Sequence, residues 1–316
     1  MKALSLPTNH STHSPLPKGG TQYDMMDDYQ IRTSAIGLIK QLVHLCRDTQ
    51  SHRGLGMGLL AGNQHFAPRF NILQQQMGRR IEVLYHFSTA PRPRLSIMDI
   101  SKINEAWKTI KEGWHDDSVL DNFQFHCYFI EQLLQMVTRL SRCLDKPLYN
   151  AADTQQSKAE TEHITTEQAN DQLLLEFVCT RLPKMIEFLG MVRALSTHTA
   201  TRGFHRPEHN KKLKYVCQCV QSEKRYVIAI ADDLHQTIGN TIPSLLALKT
   251  YEFKLDAFIE KVTHQVVEQE TVSIPSDELF LMATDIMDLY WRIVDDGLDT
   301  LHRIQEQQLE QWCLGN

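Results

Sequence analysis

The feature that most constrains the fold is a long run of inward-facing side chains that repeats with the period of an α-helix. Between Tyr29 and Gly62 these positions follow one another in alternating steps of three and four, which places them on one helical face. The face consists of Ile36, Ile39, Val43, Cys46, Gln50, Arg53, Met57 and Leu60. Because an isolated helix is marginal in water, this face must be buried against other helices.

A second face of the same kind lies in the other half of the chain, between Leu173 and Gly203. Its members are Leu175, Cys179, Leu182, Ile186, Leu189, Arg193, Ser196 and Ala200. Pro183 lies inside this pattern, and it predicts either a kink or a later start of the helix. Each of the two long helices therefore contains an arginine on its apolar face.

Periodic segments elsewhere predict six more helices. They span 68–87, 99–114 and 119–144 in the first half, and 208–236, 244–268 and 276–312 in the second. The predicted fold class is all-α, with two antiparallel four-helix bundles packed together. The predicted organisation is a disordered tail over 1–27, a first bundle over 28–148, a linker over 149–166 and a second bundle over 167–316.

Composition excludes several classes of protein. A formal charge of −5 and a pI near 6.3 give no broad basic surface for nucleic acid. No stretch reaches the roughly 18 apolar residues of a membrane span. Seven scattered cysteines form a poor disulfide framework, and no secretory leader precedes them. A reduced, cytoplasmic protein is therefore expected.

The two arginines are the residues most suggestive of chemistry. Arg53 and Arg193 lie 140 residues apart, near the ends of the two long helices, where a hydrophobic residue would stabilise the core more. A buried unpaired guanidinium costs several kcal/mol or so. Its planar fork of donors suits either a carboxylate or a planar oxyanion. The structural interpretation is a salt bridge to an acid such as Asp121 or Asp285.

Glycines follow Arg53 at close intervals inside the helical pattern. Gly54, Gly58 and Gly62 recur every four residues, and each interior glycine costs about 0.5–1 kcal/mol relative to alanine. They form a smooth strip that lets another helix or a ligand approach closely. Simple tight helix packing explains the strip equally well.

Two short motifs contain the arginines: Arg53-Gly54-Leu55 with the following Leu59-Leu60-Ala61-Gly62, and Gly190-Met191-Val192-Arg193-Ala194. Together they resemble the nitrate- and nitrite-sensing domain of bacterial transcription antiterminators, chemoreceptors and sensor kinases. The resemblance covers roughly 28–312 in the order of elements. It implies two four-helix bundles that hold nitrate or nitrite between them, with Arg53 and Arg193 as ligands. His52, Gln50, Ser196 and Arg225 are candidates for an additional ligand shell.

The resemblance also implies a regulatory protein rather than an enzyme, with no cofactor and no metal. Members of that family usually join the sensing domain to an output module, and the 316 residues leave no space for one. The expected partners are the anion and a separate protein that produces the response, and two copies of the chain are a further candidate assembly.

Two alternatives stay open. One is a ligand-free helical interaction scaffold, in which both arginines pair with internal carboxylates. The other is a metal-dependent bundle enzyme, which needs two Glu-x-x-His motifs on facing helices. Glu160-Thr161-Glu162-His163 fits that string but falls in the predicted linker. A zinc site at Cys217 and Cys219 with His205 and His209 has poor geometry on one helix.

Overall fold

The computed structural model describes residues 20–90, 92–146, 148, 168–204, 206–239 and 241–315. Over these residues the chain is helical and contains no strand. The helices are α1 (Gly20–Leu60), α2 (Ala67–Thr89), α3 (Ile97–Lys111), α4 (Val119–Ser141), α5 (168–202), α6 (Pro207–Ile238), α7 (Leu248–Val262) and α8 (Ser276–Gly315). The prediction of an all-α chain is confirmed.

Local signals in the sequence account for several helix ends. Ser96 and Asp99 form a reciprocal capping box at the start of α3, and Ser118 caps α4 through the amide of Asp121. Gly62 follows α1 with a φ of 106°, a left-handed conformation that glycine adopts without strain. These residues fix where α3 and α4 begin and where α1 ends.

Two predicted boundaries are wrong. Helix α1 begins at Gly20, so the predicted disordered tail is wrong from that residue on, while residues 1–19 lie outside the described part. Helix α3 ends at Lys111 rather than 114, because Gly113 is left-handed with a φ of 67°. The predicted linker over 149–166 lies outside the described residues.

Pro183 does not interrupt α5, which is helical from 168 to 202. Instead, Phe177–Arg181 forms a π-helical turn, in which the amide of Leu182 bonds to the carbonyl of Phe177. Pro183 follows at the start of the α-helical segment Leu182–Arg202, where its missing N–H leaves little unsatisfied. The wider turn absorbs the proline within one continuous helix.

Helices α1, α5 and α8 occupy the centre of the molecule. In the first half, α1 packs against α2 and α4, and α3 lies against α2 and α4. In the second half, α5 packs against α6 and α8, and α7 lies against α8. Helix α1 also contacts both α5 and α8, and the buried apolar side chains form one continuous core.

No helix in the described ranges is long and apolar enough to cross a membrane.

Candidate anion site

The crossing of α1 and α5 is buried on every side of both helices. All side chains over 52–59 in α1 and over 192–199 in α5 are buried. Polar groups at this crossing are shielded from solvent and must find partners inside the protein. Both arginines selected from the sequence lie here: Arg53 is 0% and Arg193 2% exposed.

Arg53 has an internal carboxylate. Its Nη1 and Nη2 donate to the two carboxylate oxygens of Glu187 on α5, at 2.5 and 3.1 Å. Its Nη1 also contacts the Cys127 Sγ at 3.1 Å, and its guanidinium lies 5.4 Å from the Phe123 ring. Burial alone would lower the pKa of Arg53, but the ion pair and the thiol contact outweigh it and raise that pKa.

Gln50 connects three helices at this crossing. Its side-chain amide donates to the Glu187 Oε2 at 2.9 Å, and its Oε1 accepts the indole N–H of Trp291 at 3.2 Å. Its backbone carbonyl accepts Nη2 of Arg193 at 2.9 Å. Every polar group of this buried side chain is therefore used within the protein.

Arg193 has no carboxylate partner among the described residues. Its Nη1 donates to the Thr284 hydroxyl at 2.9 Å, its Nη2 donates to the Gln50 carbonyl, and its buried Nε has no acceptor there. Burial, together with repulsion from Arg53 and Arg69, lowers the pKa of Arg193 to about 9. It therefore stays charged at neutral pH and is the uncompensated cation of the crossing.

Glycine creates the space for both guanidiniums, in a reciprocal arrangement. A Cβ on Gly190 of α5 would lie 2.9 Å from Nη2 of Arg53, and a Cβ on Gly54 of α1 would lie 3.5 Å from Nε of Arg193. Each arginine thus lies over the glycine of the other helix. Of the glycine strip noted in the sequence, only Gly54 faces this crossing, whereas a Cβ on Gly58 would meet Phe66 and one on Gly62 would meet nothing within 4 Å.

Arg193 forms part of the wall of a cleft of about 730 Å³ between α1, α2 and α8. Each of the three helices contributes a stripe at helical spacing. The lining residues are His44, Arg47, Asp48 and Ser51 of α1; Pro68, Arg69, Ile72, Leu73, Gln76 and Arg80 of α2; Arg193 of α5; and Thr284, Met287, Asp288 and Trp291 of α8.

Charge in the cleft is unbalanced. Arg47 donates to Asp288 at 2.7 Å and Arg80 to Asp48 at 2.5 Å, so the two lining acids are each paired with one arginine. That leaves Arg69 and Arg193 without a carboxylate among the described residues. Both guanidiniums lie against the ring of Phe280, at 5.8 and 4.9 Å. Two unpaired guanidiniums beside one cleft make an anion-attracting site.

Arg69 is not among the site residues predicted from the sequence, although its position in a helix points to it. It is the third residue of α2, and a cation in the first turn of a helix opposes the helix dipole. The first turn of α2 contains no acid that would neutralise it. An unpaired arginine at such a position suggests a requirement for positive charge other than helix stability.

His52 points into the first half of the molecule and belongs to a separate network. His126 Nδ1 lies 2.7 Å from the carbonyl of Asn122 and must donate to it, so His126 Nε2 accepts from His52 Nδ1 at 2.8 Å. Burial lowers the pKa of His52 and lowers that of His126 to about 3. Both rings are neutral, and Nε2 of His52 is left as an acceptor without a donor.

The other predicted shell residues lie apart from the crossing or are already satisfied. Ser196 is buried and donates within α5 to the carbonyl of Arg193 at 3.3 Å. Arg225 is exposed and lines a different cleft, between α6 and α7. Of the four shell candidates, Gln50 is the one that accepts a hydrogen bond from the guanidinium of Arg193 in the described part of the chain.

The proposed salt-bridge partners Asp121 and Asp285 are wrong. Asp121 is an exposed residue in the first turn of α4, where it accepts the Ser118 hydroxyl at 2.7 Å. Asp285 pairs with Lys254 at 2.7 Å on the surface of α8. Glu187 fills that role because the crossing places its carboxylate opposite the fork of Arg53.

Metal chemistry has no support in the described part of the chain, where no group of three or more His, Cys, Asp or Glu is placed to hold an ion. Glu160-Thr161-Glu162-His163 and His205 lie outside the described residues.

Comparison with known proteins gives no match to a family model, a curated protein or a solved structure. The interpretation of the site therefore depends on its geometry and on the two short motifs.

Proposed function

We propose that this chain is a sensor of a small planar oxyanion, nitrate or nitrite, formed by two four-helix bundles that meet at the crossing of α1 and α5. One observation supports it most: within the described ranges, the buried cation Arg193 has no carboxylate partner, and it borders a cleft that also contains Arg69, which has none there either. The motif resemblance supplies the identity of the anion. The geometry supports the wider class of planar oxyanions, which can accept two parallel hydrogen bonds from a guanidinium.

The two arginines take different roles in this proposal. Arg53 is neutralised by Glu187 and holds α1 and α5 in register, so it is a positioning residue. Arg193 is the ligand residue, and Arg69 replaces Arg53 as its partner in binding the anion. An anion between Arg69 and Arg193 would also lie near the amino end of α2, whose dipole favours negative charge.

The signal would pass through α8. Arg193 contacts α8 through Thr284 and α1 through the backbone carbonyl of Gln50, whose side-chain Oε1 accepts the indole N–H of Trp291 of α8. Neutralising Arg193 would change the relative free energies of arrangements of α1, α5 and α8. A separate protein that reads α8 would then bind with altered affinity, and the anion's affinity would change by the same factor.

Thermal-shift and calorimetric titration of the full chain with nitrate, nitrite, chloride and sulfate at constant ionic strength tests the proposal. A ligand at about 100 times its Kd stabilises the folded state by about 2.7 kcal/mol. Nitrate or nitrite should raise the Tm well beyond chloride and sulfate. Equal shifts with all four salts would exclude a planar-oxyanion site.

A charge-preserving substitution tests the role of Arg193. Arg193→Lys keeps the positive charge but loses the planar guanidinium, so the apparent affinity for nitrate should fall at least about tenfold. Arg225→Lys is the matched control, because Arg225 is an exposed arginine in another cleft. An unchanged nitrate response in Arg193→Lys would remove Arg193 from the site.

A ligand-free scaffold is the second candidate, and the Arg53–Glu187 pair favours it. In that case Arg193 is stabilised by its hydroxyl, carbonyl and aromatic contacts alone. No anion should then shift the Tm specifically, while substitution of either arginine should destabilise the fold.

A further inference from the structure

The cleft beside Arg193 is much larger than the anion proposed for it. Its volume is about 730 Å³, within the range of about 300–1,000 Å³ typical of sites for organic ligands. Nitrate has only four atoms and would occupy the end of the cleft at Arg193 and Arg69. Most of the cleft extends beyond those two guanidiniums.

Two of the helices that line the cleft contribute apolar side chains to its wall. Ile72 and Leu73 of α2 lie one helical turn from Arg69, and Met287 and Trp291 of α8 lie beyond Thr284. Ile72 is 59% exposed and offers its aliphatic side chain to a ligand in the cleft, while Leu73 beside it is buried. Apolar side chains set among charged groups match an amphipathic ligand.

Acidic groups limit the charge of that ligand. Asp48 and Asp288 line the same cleft and are paired with Arg80 and Arg47. The unpaired positive charge is therefore restricted to Arg69 and Arg193, which suits one carboxylate head. A ligand with several dispersed negative charges would meet the two aspartates.

We propose that the cleft binds organic monocarboxylates, with the planar carboxylate at Arg193 and Arg69 and the apolar body against Ile72, Leu73, Met287 and Trp291. This inference depends on the proposed oxyanion site, because the carboxylate is held by the same two arginines as nitrate. It widens the class of effector from inorganic oxyanions to carboxylates that carry a small apolar or aromatic group.

The test compares sodium benzoate with sodium acetate and sodium nitrate on the full chain by calorimetry at constant ionic strength. A phenyl ring that buries about 60 Å² of apolar surface gains roughly tenfold in affinity. Benzoate should therefore bind about tenfold or more tightly than acetate. Arg193→Lys should weaken the binding of all three anions.

The surface variant Ile72→Ser tests the apolar wall without touching the core. It should reduce benzoate affinity several-fold and leave acetate and nitrate unchanged. Ile97→Ser is the matched control, because Ile97 is 77% exposed on α3 and does not line the cleft.

The outcomes distinguish the inference from the function on which it depends. Nitrate binding with benzoate no tighter than acetate would overturn the carboxylate cleft and leave the oxyanion sensor standing. Benzoate binding that survives Arg193→Lys unchanged would place it elsewhere and overturn the inference. Failure of all three anions to bind would overturn both.

Discussion

Removal of the Glu187 carboxylate is the most informative single perturbation of the crossing. Glu187→Ala leaves Arg53, which is 0% exposed, beside the cation Arg193 with no internal counterion. Breaking a buried pair by deleting one partner costs about 3–5 kcal/mol. With an unfolding entropy of about 2.1 cal/mol/K per residue over the chain, that loss lowers the Tm by about 5–8 °C.

The same substitution also opens a space the size of a carboxylate directly at the fork of Arg53. Nitrate, nitrite or formate can enter it and restore two parallel hydrogen bonds. In the Glu187→Ala variant we therefore expect these planar anions at 50–100 mM to recover a measurable part of the lost Tm. Tetrahedral sulfate should recover less at equal ionic strength.

The assay is thermal unfolding followed by circular dichroism, with urea unfolding as an independent measure of the free energy. The matched control is Glu176→Ala on the same helix, which removes an exposed partner of Arg181 that lies at 2.8 Å. That variant should change the free energy of unfolding by no more than about 0.5 kcal/mol. A loss below about 1 kcal/mol for Glu187→Ala would refute the argument that Glu187 neutralises a buried arginine.

Three further outcomes are expected. Asp288→Asn removes a negative charge that pairs with Arg47 and lies near Arg193, so the cleft becomes more positive. Nitrate affinity should therefore rise about three- to tenfold at low salt and less at high salt. An unchanged or weaker affinity contradicts the cleft as the binding site. Burial lowers the pKa of His52 and lowers that of His126 to about 3, so the unfolded chain takes up protons below about pH 6.5 that the folded chain does not. The free energy of unfolding therefore falls as the pH drops, by about 2 kcal/mol for His126 at about pH 5. His126→Gln should flatten the pH dependence of the free energy of unfolding over that interval, and an equally steep slope would place the protons elsewhere. Gly190→Ala should destabilise the fold by about 1–3 kcal/mol, because the added methyl group would clash with Arg53. In the control Gly37→Ala the methyl group meets nothing within 4 Å, so this variant should be more stable by about 0.5–1 kcal/mol. Urea unfolding measures both changes.

The helices and the buried arginines follow from the sequence because they depend on local periodicity. Steps of three and four place Arg53 and Arg193 on inward faces, and both are buried in the structure. The glycines after Arg53 indicated a close approach by another helix, and Gly54 alone among Gly54, Gly58 and Gly62 meets one, at the crossing with α5. Helical content and the position of two charges in the core were thus predictable.

The partners of those charges were not predictable, because they depend on how two distant helices cross. Glu187 does not belong to the repeating face of α5, and nothing local to it marks it as buried. Arg69 belongs to a different helix from both arginines, and only the packing of α2 and α8 over α1 brings it near Arg193. Periodicity specifies which face of a helix is inward but not which residue of another helix lies opposite.

The placement of Glu187 determines how the chain can be divided. A fragment ending before α5 would present Arg53 without its carboxylate, and a fragment containing α5 would present Arg193 without the Gln50 carbonyl that holds it. Each half supplies the other with hydrogen-bonding groups that water replaces only after the crossing opens. As separately expressed polypeptides, the halves would behave like the subunits of an obligate heterodimer, and substitutions at position 53 in one would select for compensating substitutions at position 187 in the other.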